Sequence, residues 1–249
     1  YCLRRELIPD YVVTLDPHKE YILRWFGDPE IENRGSTDYF KRQELDLEIR
    51  EDEFGKNDLQ IKLVDKYAAQ IKLIISTSVH VNVTKRCKQA GFDMYWWNPI
   101  YDDWEQKNSF TKKVLKTVNA PCMVGGGNVG TASWIFAHSV LKIKKTALIG
   151  FDFSYPPDTN IYNTQRYYEM KDFFGEDNID DGYVEYYNPY LDETWFTDPT
   201  YYWYRESFLE MVKIADCKVY NCTGGGIIFG DGVEWVSLEE FLKSQSLFS

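Results

Sequence analysis

The sequence lacks any apolar run approaching the roughly 20 residues that a membrane-spanning helix needs, and no signal-peptide pattern opens it. It also lacks paired cysteines, because its five cysteines are odd in number and none forms a CxxC pair with another. The first absence excludes a membrane-spanning protein, and the second favours reduced thiols. We therefore expect a cytoplasmic protein with no membrane span.

Positive charge is scarce in this chain. There are 28 lysines and arginines against 39 aspartates and glutamates, which gives a formal net charge of −11. A chain of this charge repels a phosphate backbone unless a local basic patch overrides the repulsion. The sequence therefore predicts no nucleic-acid partner.

The 249 residues, of which 44% are apolar, are enough to bury a full hydrophobic core without disulfide or metal support. We therefore predict a single domain over residues 1–249. The chain begins at Tyr1, close to its first predicted strand at 11–15. For this reason we expect the domain to be incomplete at its N-terminal end.

Helical and strand patterns alternate along the chain, although residues 111–119 fit neither pattern. Predicted helices cover 59–68, 80–90, 128–143 and 208–215, predicted strands cover 11–15, 73–76, 93–97, 147–150 and 218–221, and a capping box at 237–240 begins a last helix. This alternation predicts an α/β fold with a Rossmann-like, doubly wound and mostly parallel sheet. Ligands of such folds bind at the carboxyl ends of the strands.

Residues 155–204 interrupt this alternation. The segment holds 16 aromatic residues, and its 11 acidic and 2 basic residues give it a charge of −9, which leaves −2 for the rest of the chain. Fifty residues between a strand and the next helix are too many for a plain connector. We therefore expect a lid or substrate-side subdomain over 155–204.

Polar residues follow three of the predicted strands. Asp16 follows the first, Asp152 follows the strand at 147–150, and Asn221 and Thr223 follow the last. A carboxylate at a strand end can hold sugar hydroxyls, coordinate Mg²⁺ or accept a proton. The structural alternatives stay open, because Asp16 before Pro17 also fits a simple turn and Asp152 also fits a helix cap.

A glycine-rich segment opens the helix predicted from residue 128. Its backbone N–H groups and the positive end of the helix dipole can approach an anion closely, because glycine has no Cβ. The candidate phosphate-binding residues are Gly126, Gly127, Asn128, Gly130 and Thr131. Many glycine turns bind nothing, and Asn128 or Thr131 also fits a helix cap.

Two further groups of residues are candidates for the site. Ser78 and His80 follow the strand at 73–76, and His80 is a possible acid/base or phosphate ligand, although a histidine at a helix start more often caps the helix. The aromatic residues of 155–204 can stack on a sugar or a base, or build a small core of their own. The hydroxyls of Tyr155 and Tyr162 lie close in sequence to Asp152.

Five segments resemble, in order, the motifs of the motility-accessory-factor and MptE-like family. They are residues 9–17, 76–80, 126–132, 148–155 and 221–223. The family includes proteins implicated in glycosylating flagellin with nonulosonic acids, and archaeal enzymes that transfer diphosphate from ATP to a hydroxymethyl pterin. Its fold is related to that of bacterial sialyltransferases that use a CMP-activated sugar.

The resemblance implies roles for particular residues. A segment like Asn128 to Thr131 approaches the nucleotide in the sialyltransferases, and tyrosines after the Gly-x-Asp-Phe motif hold its phosphate. By position, these tyrosines correspond to Tyr155 and Tyr162.

Together, the residues and the resemblance predict a transferase that takes a glycosyl group from a nucleotide-activated donor such as a CMP-sugar. In this hypothesis Asp16 and Asp152 position the donor or a Mg²⁺ ion, and His80 is a further acid/base candidate. Ser78, Asn221 and Thr223 lie on the substrate side.

Two alternatives stay open. One is a Mg²⁺-dependent diphosphokinase that transfers diphosphate from ATP to a pterin-like alcohol. The other is a non-catalytic module that binds a glycan or a protein, which is favoured by the acidic, aromatic segment 155–204 and by its lack of histidine. The acceptor under these hypotheses is a sugar, a protein or a pterin.

Overall fold

The computed structural model describes residues 2–18, 21–30 and 57–246 of the chain. The chain divides into two compact units, Tyr1–Ser133 and Trp134–Ser249. Each unit has a parallel sheet with helices between strands. The fold is therefore α/β with Rossmann-like parallel sheets, as the alternating patterns predict.

In the first unit, strands and helices alternate along the chain. Its strands and longer helices are β1 (Tyr11–Thr14), α1 (Tyr21–Trp25), α2 (Asn57–Tyr67), β2 (Lys72–Ser76), α3 (Val81–Ala90), β3 (Asp93–Pro99), α4 (Phe110–Thr117) and β4 (Cys122–Met123). The next helix, α5 (Val129–Ile135), begins in the first unit and ends in the second. The sheet has the order β1-β2-β3-β4, and each neighbouring pair is parallel. The carboxyl ends of the strands therefore lie at the same edge of this sheet.

The core of the first unit forms around β2. Leu73 and Ile75 are fully buried, as expected for a strand covered on both faces. The buried residues around them come from neighbouring helices and include Val64, Ala68, Val83 and Cys87. Burying one such aliphatic side chain contributes about 1.5–3 kcal/mol. The predicted strand at 73–76 and the helices that flank it are therefore confirmed.

The second unit contains one parallel sheet and one antiparallel hairpin. Its elements are β5 (Lys145–Leu148), α6 (Tyr167–Phe174), β6 (Val184–Asn188), β7 (Glu193–Thr197), α7 (Pro199–Ile214), β8 (Lys218–Asn221), β9 (Val233–Trp235) and α8 (Leu238–Ser246). The parallel sheet has the order β5-β8-β9, and β6 pairs with β7. Because Leu148 pairs with Asn221, the carboxyl ends of β5 and β8 are adjacent.

The segment 155–204 folds as α6, the β6–β7 hairpin and the start of α7, with short helical turns at 161–163 and 176–182. Many of its aromatic rings contact one another, and the ring of Tyr155 lies 5.3 Å from that of Phe196 and 5.5 Å from that of Tyr201. Its buried residues include Tyr155, Tyr167, Met170, Ile179 and Trp195. The segment therefore builds a small core of its own.

One predicted boundary needs correction, and one unassigned segment proves to be a helix. The strand predicted at 147–150 is β5 at 145–148, because Gly150 takes a positive φ of 72° and Ile149 is 63% exposed.

The unassigned residues 111–119 mostly form α4, whose start is stabilised from outside the helix. Asp102 accepts hydrogen bonds from the backbone N–H groups of Phe110 and Thr111, which hold the pKa of its carboxyl well below the usual range.

The start of α8 matches its sequence signal. Ser237 and Glu240 form the predicted capping box, in which Ser237 Oγ accepts from the Glu240 N–H at 3.2 Å and a Glu240 carboxylate oxygen accepts from the Ser237 N–H at 2.9 Å. His138 lies in a π-helical turn after α5, with its ring 4.2 Å from that of Trp134. Within the described residues, no helix has the length and apolar character to cross a membrane.

Candidate active site

Hydrogen bonds tie together the carboxyl ends of β1 and β2 in the first unit. Ser78 Oγ donates to the backbone oxygen of Leu15 at 2.6 Å, and the Ser78 N–H donates to Ser76 Oγ at 3.1 Å. A Cβ placed on Gly125 would lie 3.5 Å from the Leu15 side chain. The strand ends and the glycine loop of this unit are therefore neighbours, as the sequence predicts for a parallel sheet.

Asp16 and His80 make local structural contacts at this edge. Asp16 Oδ1 accepts from the backbone N–H of His18 at 2.7 Å, which is the turn that the Asp16-Pro17 sequence also allows. His80 Nδ1 accepts from the backbone N–H of Asn82 at 3.2 Å and caps α3. This cap requires an unprotonated Nδ1. The catalytic roles of Asp16 and His80 stay predictions.

The glycine loop ends in a helix cap. Asn128 Oδ1 accepts from the backbone N–H of Thr131 at 2.9 Å, and Asn128 Nδ2 donates to Thr131 Oγ1 at 3.0 Å. Gly126 and Gly127 have φ values of 62° and 84°, which favour glycine at both positions. Thr131 is fully buried, so its hydroxyl serves the cap. Phosphate binding by this loop and by Gly130 stays a prediction.

In the second unit, the ends of β5 and β8 are joined by hydrogen bonds. The Phe151 N–H donates to Thr223 Oγ1 at 3.1 Å, and the Cys222 N–H donates to the backbone oxygen of Leu148 at 2.9 Å. Asn221 is fully buried, where its Nδ2 donates to the Ile228 oxygen at 2.8 Å. Asn221 and Thr223 therefore hold the backbone around the strand ends, and a substrate role for them stays a prediction.

Asp152 lies against a glycine loop at this edge. The Ile227 N–H donates to the backbone oxygen of Asp152 at 2.9 Å. A Cβ on Gly226, which has a φ of 83°, would lie 2.5 Å from the Asp152 Cα, and a Cβ on Gly225 would lie 3.3 Å from Asp152 Oδ1. Side chains at both positions would therefore crowd Asp152. The glycines that follow β8 fit closely against this aspartate.

The carboxylate of Asp152 is partly buried, and its burial raises its pKa above the usual value. Only its own backbone N–H opposes this shift, and no other described residue donates a hydrogen bond to the carboxylate. The next residue, Phe153, has a positive φ of 48°. Buried carboxyls with raised pKa values and strained backbone both occur often at functional sites.

Tyr155 and Tyr162 differ in their surroundings. The Tyr155 hydroxyl donates to Asp198 Oδ2 at 2.8 Å, and burial followed by the charge of Asp198 raises the pKa of Tyr155. Tyr155 is 8% exposed, so phosphate binding would require this buried hydrogen bond to break. Tyr162 is 55% exposed, and its ring lies 5.1 Å from that of Tyr167. Their role as phosphate ligands stays a prediction.

Two residues near Asp152 were missed by the sequence analysis. A Cβ on Gly225 would lie 2.7 Å from Trp195 Cη2, which places this indole beside the Asp152 loop. Asn188 Nδ2 donates to the Gly226 oxygen at 2.7 Å, and Asn188 Oδ1 accepts from the Tyr190 N–H. The only sequence signal for these contacts is the run of three glycines at 224–226. Such a run indicates that another part of the protein packs closely against the backbone, but it does not identify the residues that do so.

The described part of the chain contains no group of three or more His, Cys, Asp or Glu side chains that could hold a metal ion. Asp16 belongs to the first unit and Asp152 to the second. The suggested Mg²⁺ site of these two aspartates stays a prediction. No protein-family model matches this chain, and no curated protein or solved structure matches it either.

Proposed function

We propose that this chain is a transferase that moves a glycosyl group from a nucleotide-activated donor to a hydroxyl acceptor, with Asp152 as the general base. The observation that carries the proposal is the partly buried Asp152 carboxylate, which has a raised pKa and accepts no hydrogen bond from another described residue. A carboxylate in this state can take a proton more readily than an ordinary surface aspartate. Its place at the end of a parallel strand is where such folds bind ligands.

In the proposed reaction, the acceptor oxygen forms a bond to the anomeric carbon of the donor. The bond between that carbon and the phosphate oxygen breaks, and the nucleotide leaves with the electron pair. The hydroxyl proton passes to Asp152, which releases it to solvent before the next cycle. The rest of the protein's contribution is to orient the acceptor and to stabilise the departing phosphate.

The glycine loop 224–226 supports this role for Asp152. Because Gly225 and Gly226 have no side chains, the backbone approaches the aspartate closely. The Asn188 amide fixes the loop through the Gly226 oxygen. A fixed loop beside a general base is an arrangement that keeps the base in one orientation for the acceptor.

The test combines nucleotide binding with product release. We expect calorimetric titration to detect binding of CMP or ATP, and a CMP-activated sugar to release CMP when a hydroxyl acceptor is present. Asp152→Asn should slow this release by about a hundredfold or more, because loss of a general base costs that much. Asp172→Asn removes an exposed carboxylate of the same unit and should leave the release unchanged.

Three results would count against the glycosyl-transfer proposal. Absence of binding to CMP, ATP and a CMP-sugar would contradict it, as would CMP release that Asp152→Asn does not slow. Release of AMP from ATP with a strict need for Mg²⁺ would instead favour the diphosphokinase.

A further inference from the structure

One loop of the first unit carries three large aromatic side chains on its surface. Tyr101, Trp104 and Phe110 belong to residues 100–110, which lead from β3 into α4, and they are between 43% and 54% exposed. The rings of Tyr101 and Phe110 lie edge to face, with their centroids 5.3 Å apart. Exposed apolar side chains that lie together mark interaction sites more often than scattered ones do. We call residues 100–110 the aromatic loop.

Hydrogen bonds between its two ends fix the backbone of the aromatic loop. Asp102 Oδ1 accepts from Ser109 Oγ at 2.8 Å and from the Thr111 N–H at 3.1 Å. Thr111 Oγ1 in turn accepts from the Tyr101 N–H at 3.0 Å. Because the loop is already ordered, presenting its rings to a partner costs little conformational entropy.

Positive charge lies beside the aromatic loop. Residues 106–133 contain four lysines and no aspartate or glutamate, in a chain whose net charge is −11. The Lys112 ammonium lies 5.6 Å from the centre of the Trp104 ring. Lys113 is exposed on α4, one helical turn after Phe110. The exposed rings and these lysines are therefore neighbours on the first unit.

Aromatic rings beside lysines fit the surface of an anionic lipid bilayer. Tyrosine and tryptophan favour the membrane–water interface, because each has an apolar ring and a polar group at its edge. Lysine side chains near the headgroups are attracted to anionic lipids. A small anion would pair with the lysines but leave the rings in water, whereas a bilayer surface takes up both.

We propose that the aromatic loop and the exposed lysines of α4 form a docking surface for an anionic membrane. Tyr101, Trp104 and Phe110 enter the headgroup region, and Lys113 and Lys116 lie against the anionic headgroups. The chain then lies on the bilayer and does not span it. This inference goes beyond the proposed transferase and does not depend on it, because vesicle binding is measured without nucleotide or acceptor.

Cosedimentation with vesicles tests the docking surface. The probes are vesicles of phosphatidylcholine alone and of phosphatidylcholine with about one-third phosphatidylserine. We expect the protein to bind the mixed vesicles about tenfold or more tightly than the neutral ones. The difference should largely disappear near 1 M salt, where screening acts over about 3 Å. Absence of binding to the mixed vesicles at low ionic strength would overturn the inference.

The lysines of α4 have a matched control on α2. Lys113→Gln with Lys116→Gln should weaken binding to the mixed vesicles by about tenfold or more, because each lysine near an anionic surface contributes about fivefold. Lys62→Gln with Lys66→Gln removes two exposed lysines from a helix between β1 and β2 and should change binding by less than about twofold. Equal losses in the two double variants would show a general charge effect and overturn the inference.

The exposed rings have a control in the second unit. Trp104→Ser with Phe110→Ser should weaken binding to the mixed vesicles by about tenfold or more, because two apolar side chains no longer enter the interface. Phe173→Ser removes an exposed ring of α6 and should leave binding unchanged. If thermal unfolding shows the double variant to be unstable, Trp104→Ser alone should still weaken binding. Binding that survives the loss of these rings would overturn the inference.

Two exposed acids on the aromatic loop oppose the attraction. Asp103 and Glu105 flank Trp104 in the sequence, and both are exposed. Asp103→Asn with Glu105→Gln should therefore tighten binding to the mixed vesicles by about fivefold or more. Weaker binding by this variant would contradict the proposed orientation of the loop toward the lipid.

A second copy of this chain is the competing partner, because its residues 155–204 carry a charge of −9. Sedimentation velocity at several protein concentrations separates the two partners. A dimer that Lys113→Gln with Lys116→Gln abolishes, in a protein that does not bind the mixed vesicles, would assign the surface to self-association and reject the membrane.

Discussion

At the scale of single residues, the negative charge of Asp152 lowers the free energy of unfolding. Burial raises its pKa, so the charged carboxylate is less favourable in the folded protein than in the unfolded chain. A raised folded pKa contributes stability that is present below the unfolded pKa and lost as pH rises through the folded pKa. Residues kept at such a cost are typical of functional sites.

We therefore expect Asp152→Asn to raise the free energy of unfolding at neutral pH by on the order of 1 kcal/mol. The gain should shrink as pH falls and vanish below about 3.9, where the carboxyl is protonated in both states. Urea unfolding at several pH values measures this difference. Asp216→Asn is the control, because Lys144 lowers the pKa of Asp216 and the variant should gain no stability. A loss of stability in Asp152→Asn at neutral pH would contradict the prediction.

Tyr155 and Tyr162 allow a second test at this scale, because only one of them has a buried hydrogen bond. Tyr155→Phe leaves Asp198 without the hydroxyl that donates to it at 2.8 Å, so we expect a loss of about 1–3 kcal/mol in the free energy of unfolding. Tyr162→Phe changes an exposed ring and should cost less than about 0.5 kcal/mol. Thermal unfolding measures both.

Nucleotide binding by the same two variants then tests the roles implied by the family resemblance. A phosphate ligand should lose nucleotide affinity when its hydroxyl is removed. If Tyr155→Phe is as stable as the native protein but binds CMP more weakly, the Tyr155 hydroxyl serves the ligand rather than the fold. For Tyr155→Phe we expect a less stable protein with unchanged affinity for CMP, because the Tyr155 hydroxyl already donates to Asp198.

At the scale of helices and strands, sequence patterns predicted the elements that are stabilised by contacts between residues close in sequence. The Asn128 cap, the Ser237 capping box and the buried strand β2 all depend on residues close in sequence or on composition, and all are confirmed. α4 was not predicted, although Ser109 caps it locally, because its first two N–H groups bond to Asp102, eight or more residues upstream. Periodicity within a helix does not report such a partner.

The candidate site likewise includes contacts between residues distant in sequence, which sequence patterns do not reveal. Its position at a strand end follows from the run 147–150 and Asp152, which are visible in the sequence. The contact of Trp195 with Gly225 joins residues thirty positions apart in different elements. Alternation within β7 marks Trp195 only as one face of a strand, so no sequence pattern separates it from the other aromatic residues of 155–204.

The start of α5 supports a prediction that separates capping from phosphate binding. Asn128→Asp and Asn128→Ser both keep an oxygen for the Thr131 N–H, so each should change the free energy of unfolding by less than about 1 kcal/mol. Only Asn128→Asp adds a negative charge, which should weaken binding of CMP about tenfold if phosphate lies at this loop. Calorimetric titration of both variants measures the difference. Equal affinities in the two variants would place the phosphate elsewhere.

At the scale of the whole molecule, negative charge is concentrated rather than spread. Residues 155–204 carry −9 of the net −11. Nine of their acidic side chains are exposed, among them Asp177, Asp180 and Asp181 around the turn 176–182. Like charges this close repel one another and favour the unfolded chain, and salt screens the repulsion over about 10 Å at 0.1 M.

We therefore expect the double variant Asp180→Asn and Asp181→Asn to melt about 2 °C higher than the native protein at low ionic strength. The gain should disappear near 1 M salt, where screening acts over about 3 Å. The matched control is Asp103→Asn with Glu105→Gln, since these exposed acids lie close in sequence to Lys107, Lys112 and Lys113 and their loss should remove attraction as well. Calorimetric melting over a salt series measures both. If the melting temperatures of the two double variants depend equally on salt, the repulsion arises from the net charge of the whole protein and not from the segment 155–204.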